Sequence, residues 1–175
     1  MSSSTATLWH IRDAVESDVD EILRLITELA EYEKEKDSVK ATPELLKKNI
    51  FEKGHARVLL AFAGTPDSPG EAVGLALYFF NYSTWTGKPG IYLEDLYVSP
   101  ERRGQKIGKA LFGHLARVAK ENDCARIDWS VLKWNQPSID FYKQTLNAIV
   151  MEEWQGMRLV GAGIDALEAF IPKAE

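Results

Sequence analysis

The feature that most constrains this chain is a strand that runs into a basic, glycine-bearing loop and then into an amphipathic helix. It reads Tyr92-Leu93-Glu94-Asp95-Leu96-Tyr97-Val98-Ser99-Pro100-Glu101-Arg102-Arg103-Gly104-Gln105-Lys106-Ile107-Gly108-Lys109-Ala110-Leu111. Pro100 ends the strand, because proline has no N–H for a ladder. N–H groups exposed at such a loop and helix start carry positive potential, so they form an anion site. Arg102, Arg103 and Lys106 beside them suit a pyrophosphate. The strand's two carboxylates, Glu94 and Asp95, are expected on opposite faces, since side chains alternate. A phosphate cradle next to a carboxylate points to a nucleotide-type cofactor and a protonated acceptor.

The flanking patterns give the fold class. A strand is expected at residues 8–13, and Ser17 with Asp20 forms a capping box for a helix to about residue 33. That helix places Val19, Ile22, Leu23, Leu25, Ile26 and Leu29 on one face. Thr42 and Pro43 open a second helix to about residue 52. Strands follow at 57–63 and 71–82, divided by a turn at 64–70, and a hairpin loop at 83–90 surrounds Trp85. After the opening motif come a helix at 106–122, a strand at 125–132 and a helix from Pro137 that carries Tyr142. Two short strands at 148–151 and 157–160 precede a helical stretch at 164–169. This order predicts an α/β (α+β) chain with one sheet and helices on both faces. With 175 residues, a single domain over 8–175 is expected after a disordered tail at 1–7.

Composition excludes several functions. A net charge of −5 opposes a general nucleic-acid binder and suits a cationic small molecule. The lone Cys124 permits no internal disulfide, and burial as a small hydrophobe is its expected role. The longest apolar run, 73–80, is too short to span a bilayer, and the N-terminus lacks a signal-peptide pattern. The expected address is the cytoplasm, with no membrane partner. His10, His55 and His114 have no ligand spacing, so no metal is expected. Ser130 and Cys124 lack a hydrolase nucleophile's context.

The chain resembles the GNAT-superfamily acetyltransferases. Their loop pattern, Arg/Gln-x-x-Gly-x-Gly/Ala, stands here as Arg103-Gly104-Gln105-Lys106-Ile107-Gly108, with Lys106 in place of the middle glycine. Within the superfamily it is similar to the diamine (spermidine/spermine and thialysine) acetyltransferases. The matching blocks are Asp20 to Ile26, Leu29 to Glu33, Tyr82-Ser83-Thr84-Trp85, Tyr92 to Val98, and Trp134-Asn135-Gln136-Pro137-Ser138-Ile139-Asp140-Phe141-Tyr142-Lys143. Beyond them, Asn147-Ala148 replaces the usual Gly-Ala pair, and Gly156-Met157-Arg158-Leu159 is the clearest later echo.

The resemblance implies a mixed, mostly antiparallel sheet splayed at an acetyl-CoA site, and a homodimer. It implies cofactor contacts from Leu96, Tyr97 and Val98, from Arg103, Gly104, Gln105, Lys106, Ile107, Gly108 and Lys109, and from Asn135, Pro137 and Ser138. Glu94 takes the position of the group that accepts the amine's proton, and Tyr142 that of the acid for the departing thiolate. A phenol with a pKa near ~10 is protonated at neutral pH, as that role requires. Tyr32, Glu33, Glu94 and Trp85 fall at acceptor positions, whereas Asp95 is expected to be structural. Acetyl transfer to a small cationic amine is the implied activity. The alternatives are an amino-acid or peptide amine as acceptor, or a non-catalytic acyl-CoA-binding regulator.

Overall fold

Five strands form one open sheet in the computed structural model, which describes residues 9–172. The tail expected at 1–7 lies outside the described residues. The strands are β1 (Trp9–Asp13), β2 (Arg57–Thr65), β3 (Ser68–Ser83), β4 (Lys88–Val98) and β5 (Ile127–Trp129). They lie in sequence order, antiparallel from β1 to β4, with β5 parallel to β4. The middle strands bury unbroken apolar runs, Val58 to Phe62 and Ala72 to Tyr78, because both faces of the sheet are covered.

Helix α1 (Val19–Tyr32) covers one face. Its Val19, Ile22, Leu25 and Leu29 pack with Val58, Leu60, Phe62, Leu75, Leu77 and Tyr97. Ile22 and Leu25 are 0% exposed, and burial of such side chains is worth about 1.5–3 kcal/mol each. Glu21 also accepts the Ala72 N–H at 3.1 Å, which fixes the start of the central part of β3 to α1. Thr42 caps α2 (Pro43–Leu46) through the Leu45 N–H, and a π-helical turn follows at Lys47–Glu52. Helix α3 (Ile107–Glu121) lies on the other face, burying Ile107, Leu111, Phe112 and Leu115. Gly74 lets it approach: a Cβ there would sit 3.2 Å from Ile107 Cγ2 and 3.4 Å from Ala61 Cβ.

The chain divides at Ser130 into two compact units. The sheet and α1–α3 belong to the first. The second holds α4 (Gln136–Asp140), a π-helical turn at Phe141–Thr145, and α5 (Ala162–Asp165), which continues as a 3₁₀ turn.

Three expectations change. Asp18, rather than Ser17, organises the start of α1: it pairs with Arg12 at 2.6 and 2.9 Å and accepts the Val15 N–H at 2.8 Å. That pairing holds its carboxyl below the usual range. The strand expected at 125–132 shortens to Ile127–Trp129. Residues 148–151 and 157–160 form no strand; apolar alternation makes a strand only with a ladder of backbone hydrogen bonds, and these residues have none. Cys124 is free and part-buried, with its thiol pKa raised by burial and then by Asp123.

Candidate active site

Strand β4 changes register at one residue. Tyr78 pairs with Leu93 and Leu77 with Asp95, so Glu94 is an extra residue with no partner on β3. This is a β-bulge, and it re-aims the side chains around it. Past the bulge Asp95 shares its face with Leu77 and Tyr97, the α1 face. Strict alternation from Leu93 would have turned Asp95 the other way. Burial, then the charge of Glu94, then that of Glu33 push the Asp95 carboxyl up to about 6. Glu33 is itself raised by burial and by Glu35. The structure thus gathers Glu33, Glu94 and Asp95 in one field. Asp95 is the member that sequence reasoning missed: adjacent acids were visible, but the bulge that groups them was not.

The same bulge lies where β4 loses a neighbour. Its ladder with β5 covers Ile91 to Leu93 and stops, while pairing with β3 continues to Val98. The Ser99 N–H donates to Val73 O at 3.0 Å. Two-residue alternation then turns the Tyr97 N–H toward β3 and the Leu96 and Val98 N–H groups toward the open edge. Of Leu96, Tyr97 and Val98, all expected to meet a cofactor, Leu96 and Val98 turn their backbone N–H groups to that edge. The Tyr97 side chain is buried among the α1 residues.

Beyond Val98 the chain passes a 3₁₀ turn, Pro100–Arg102, and reaches the loop. Gly104 has φ +80° with open space where a Cβ would point. Lys106 has φ 67° and is the N-cap of α3, and no side chain caps that helix. The N–H groups of Ile107, Gly108 and Lys109 therefore have no partner within the helix. Gln105 Oε1 and Arg102 Nε are buried without a hydrogen bond. Arg103 turns back: its Nε donates to Val98 O at 3.1 Å, and its guanidinium lies 4.9 Å from the Tyr32 ring centre. Tyr32 also borders an open groove of about 560 Å³ lined by Arg24, Glu28, Glu31, Glu71 and Glu101, where Glu28 pairs with Arg24 and Glu31 with Lys36. Trp85, 87% exposed, sits on the β3–β4 turn, separated from Glu94 by about 20 Å of strand.

In the second unit, Asn135 Oδ1 accepts the Ser138 N–H at 3.3 Å and so caps α4, with Pro137 in its first turn. Tyr142 lies in the π-helical turn, where its carbonyl accepts the Ala148 N–H at 3.0 Å.

Residues 19–147 match the Acetyltransferase (GNAT) family. The chain belongs to this family. The GNAT relatives include thialysine N-epsilon-acetyltransferase from Sus scrofa, 43% identical over 165 residues, covering 90% of this chain and 95% of the relative. The enzyme of that name from Caenorhabditis elegans is 35% identical over 148 residues, covering 83% and 88%. Homo sapiens spermidine/spermine N(1)-acetyltransferase-like protein 1 is 35% identical over 145 residues, 81% of this chain and 21% of that protein. Among solved structures, a V. cholerae integron cassette protein superposes with TM-score 0.72 at 25% identity, covering 91% of this chain and 97% of that one. The GNAT fold, one mixed open sheet with helices, is the fold described above, and this chain is an N-acetyltransferase.

Proposed function

We propose that this GNAT enzyme transfers an acetyl group directly, in a ternary complex, from acetyl-CoA to a primary amine of a small cationic acceptor of the thialysine or polyamine type. The observation that carries the reading is the grouping of Glu33, Glu94 and Asp95 at the bulge of β4. An acceptor amine arrives as an ammonium with a pKa near ~10.4 and must lose a proton before it can attack. Three carboxylates attract that ammonium, and Glu94 accepts the proton, directly or through water. Glu71 and Glu101, which line the groove beside Tyr32, suit a second positive charge on the acceptor.

The loop suits the phosphates of CoA: α3 begins with uncapped N–H groups, space is open at Gly104, and Arg102 Nε has no partner. Arg103 to Lys109 would hold the pyrophosphate, with Asn135, Pro137 and Ser138 along the pantetheine arm. Acetyl-CoA, when bound, supplies an activated thioester. The Leu96 and Val98 N–H groups face the open edge, where a donor can stabilise negative charge on a carbonyl oxygen. Tyr142 holds a proton at Oη for the leaving sulfur. A homodimer and a cytoplasmic setting complete the reading; the first fits the apolar side chains exposed in the second unit, and the second fits a single free cysteine.

The test is thiol release from acetyl-CoA with spermidine, thialysine, lysine and a peptide N-terminus in competition. We expect thialysine or spermidine to be acetylated ahead of the peptide. Preference for the peptide amine would overturn the acceptor class. CoA binding without transfer to any of the four amines would favour a non-catalytic regulator.

A further inference from the structure

Lys106 stands where the loop pattern has glycine, and it keeps a glycine's backbone, with φ 67° and ψ 9°. An L-residue is strained there because its Cβ crowds the neighbouring carbonyl. The Lys106 side chain is exposed and, among the described residues, has no hydrogen-bond or ion-pair partner. The first turn of α3 contains no acid, and Lys109 adds a second cation to it. Cations at a helix N-terminus are opposed by the macrodipole, so the arrangement is unfavourable until an anion is present. Arg103 is committed to Val98 O and the Tyr32 ring. Neutralising a phosphate therefore falls to Lys106 and Lys109 more than to Arg103.

We propose that Lys106 is an affinity determinant for the cofactor: its backbone takes the glycine's part in the cradle, and its ammonium contacts the pyrophosphate. The inference rests on the acetyl-CoA reading above. An ammonium on a flexible stem meets phosphate as a point charge. Salt screens such an exposed contact, so this chain's affinity should depend on ionic strength more than a glycine cradle's would.

The experiment is calorimetric titration of CoA and of dephospho-CoA into the wild type, Lys106→Met and Lys106→Gly. Each titration is run at low salt and at about 0.5 M salt, alongside thermal melts. Lys106→Met removes the charge and keeps the backbone strain; Lys106→Gly removes both. We expect both variants to weaken CoA binding by about tenfold at low salt and to flatten the salt dependence. Dephospho-CoA should lose as much, and KM for acetyl-CoA should rise more than kcat falls. The melting temperature should increase slightly for Lys106→Met, which removes the opposed charge, and more for Lys106→Gly, which also relieves the backbone strain. Wild-type CoA affinity and salt slope in Lys106→Met would overturn the inference and leave the function reading intact. A loss confined to CoA would assign the contact to the 3′-phosphate and overturn the pyrophosphate assignment. A wild type that binds no CoA would overturn the function reading, and this inference with it.

Discussion

Asp95 carries a charge that the protein itself makes adjustable. Its carboxyl is pushed up to about 6 by burial, then by Glu94 and Glu33, against about 3.9 in an unfolded chain. Between those values the folded chain binds a proton that the unfolded chain has lost, so stability falls as pH rises through the window. Asp95→Asn should therefore stabilise the fold at pH 7 by about 2 kcal/mol, a figure discounted for the solvent that still reaches the group. It should also flatten the stability profile between about pH 4 and 6, as read from melts across that range. Function should move the opposite way. The acceptor ammonium loses a partner as Asp95 takes up its proton, so the wild-type acceptor KM should rise as pH falls through about 6. The variant should lack that step and show a higher KM at pH 7. A raised melting temperature with wild-type KM at every pH would make Asp95 purely structural. Tyr142 is tested by removing one oxygen: Tyr142→Phe should lower kcat by about 10²-fold and leave CoA affinity within about twofold. Wild-type turnover would remove Tyr142 as the acid.

At the scale of elements, the basic loop before α3 is held by packing between α3 and the sheet. Gly74 is the contact point: a side chain there meets Ile107 Cγ2 at 3.2 Å and Tyr97 O at 3.3 Å. Gly74→Val should cost about 1–3 kcal/mol through overpacking, and it should weaken CoA binding, since Ile107 is the first residue of α3. Gly113→Ala is the matched control, because a Cβ at that exposed helical site meets nothing within 4 Å. It should raise stability by up to about 1 kcal/mol and leave CoA affinity unchanged. Melts and CoA titration on the pair separate loop placement from helix stability. These elements also show what sequence can and cannot tell. Helix α3 and strands β2–β4 were legible because their periodicity and the loop between Val98 and Ile107 are local properties of the chain. Leu96, Tyr97 and Val98 were expected as cofactor contacts through family likeness, yet which of their N–H groups face the open edge depends on the pairing of β4 with Val73 and Leu75. The bulge at Glu94 was hidden for the same reason: register belongs to two strands, and no composition records it. The segments at 148–151 and 157–160 have a strand's apolar content without a ladder, so periodicity predicted strands that did not form.

At the scale of the whole molecule, apolar surface is unevenly distributed. The buried hydrophobic residues run from Val19 to Leu115, and none of those described lies in the second unit. That unit instead exposes Ile149 at 82%, Met157 at 88% and Phe170 at 81%, with Val150, Met151, Leu159 and Val160 alongside in sequence. Large apolar side chains concentrated in one short segment mark an association surface more often than scattered ones do. Self-association in soluble proteins usually closes as a two-fold dimer. The proposed homodimer should therefore sediment at twice the chain's 19.7 kDa. Replacing Ile149 and Phe170 together by glutamate should shift it toward the mass of one chain, because burying two new carboxylates in the contact opposes association. The first unit has its own core and should stay folded in that variant, so far-ultraviolet circular dichroism should change little while the sedimentation coefficient falls. A wild type that sediments at the mass of one chain at every concentration would overturn the dimer. A double variant that remains dimeric would instead place the contact away from Ile149 and Phe170.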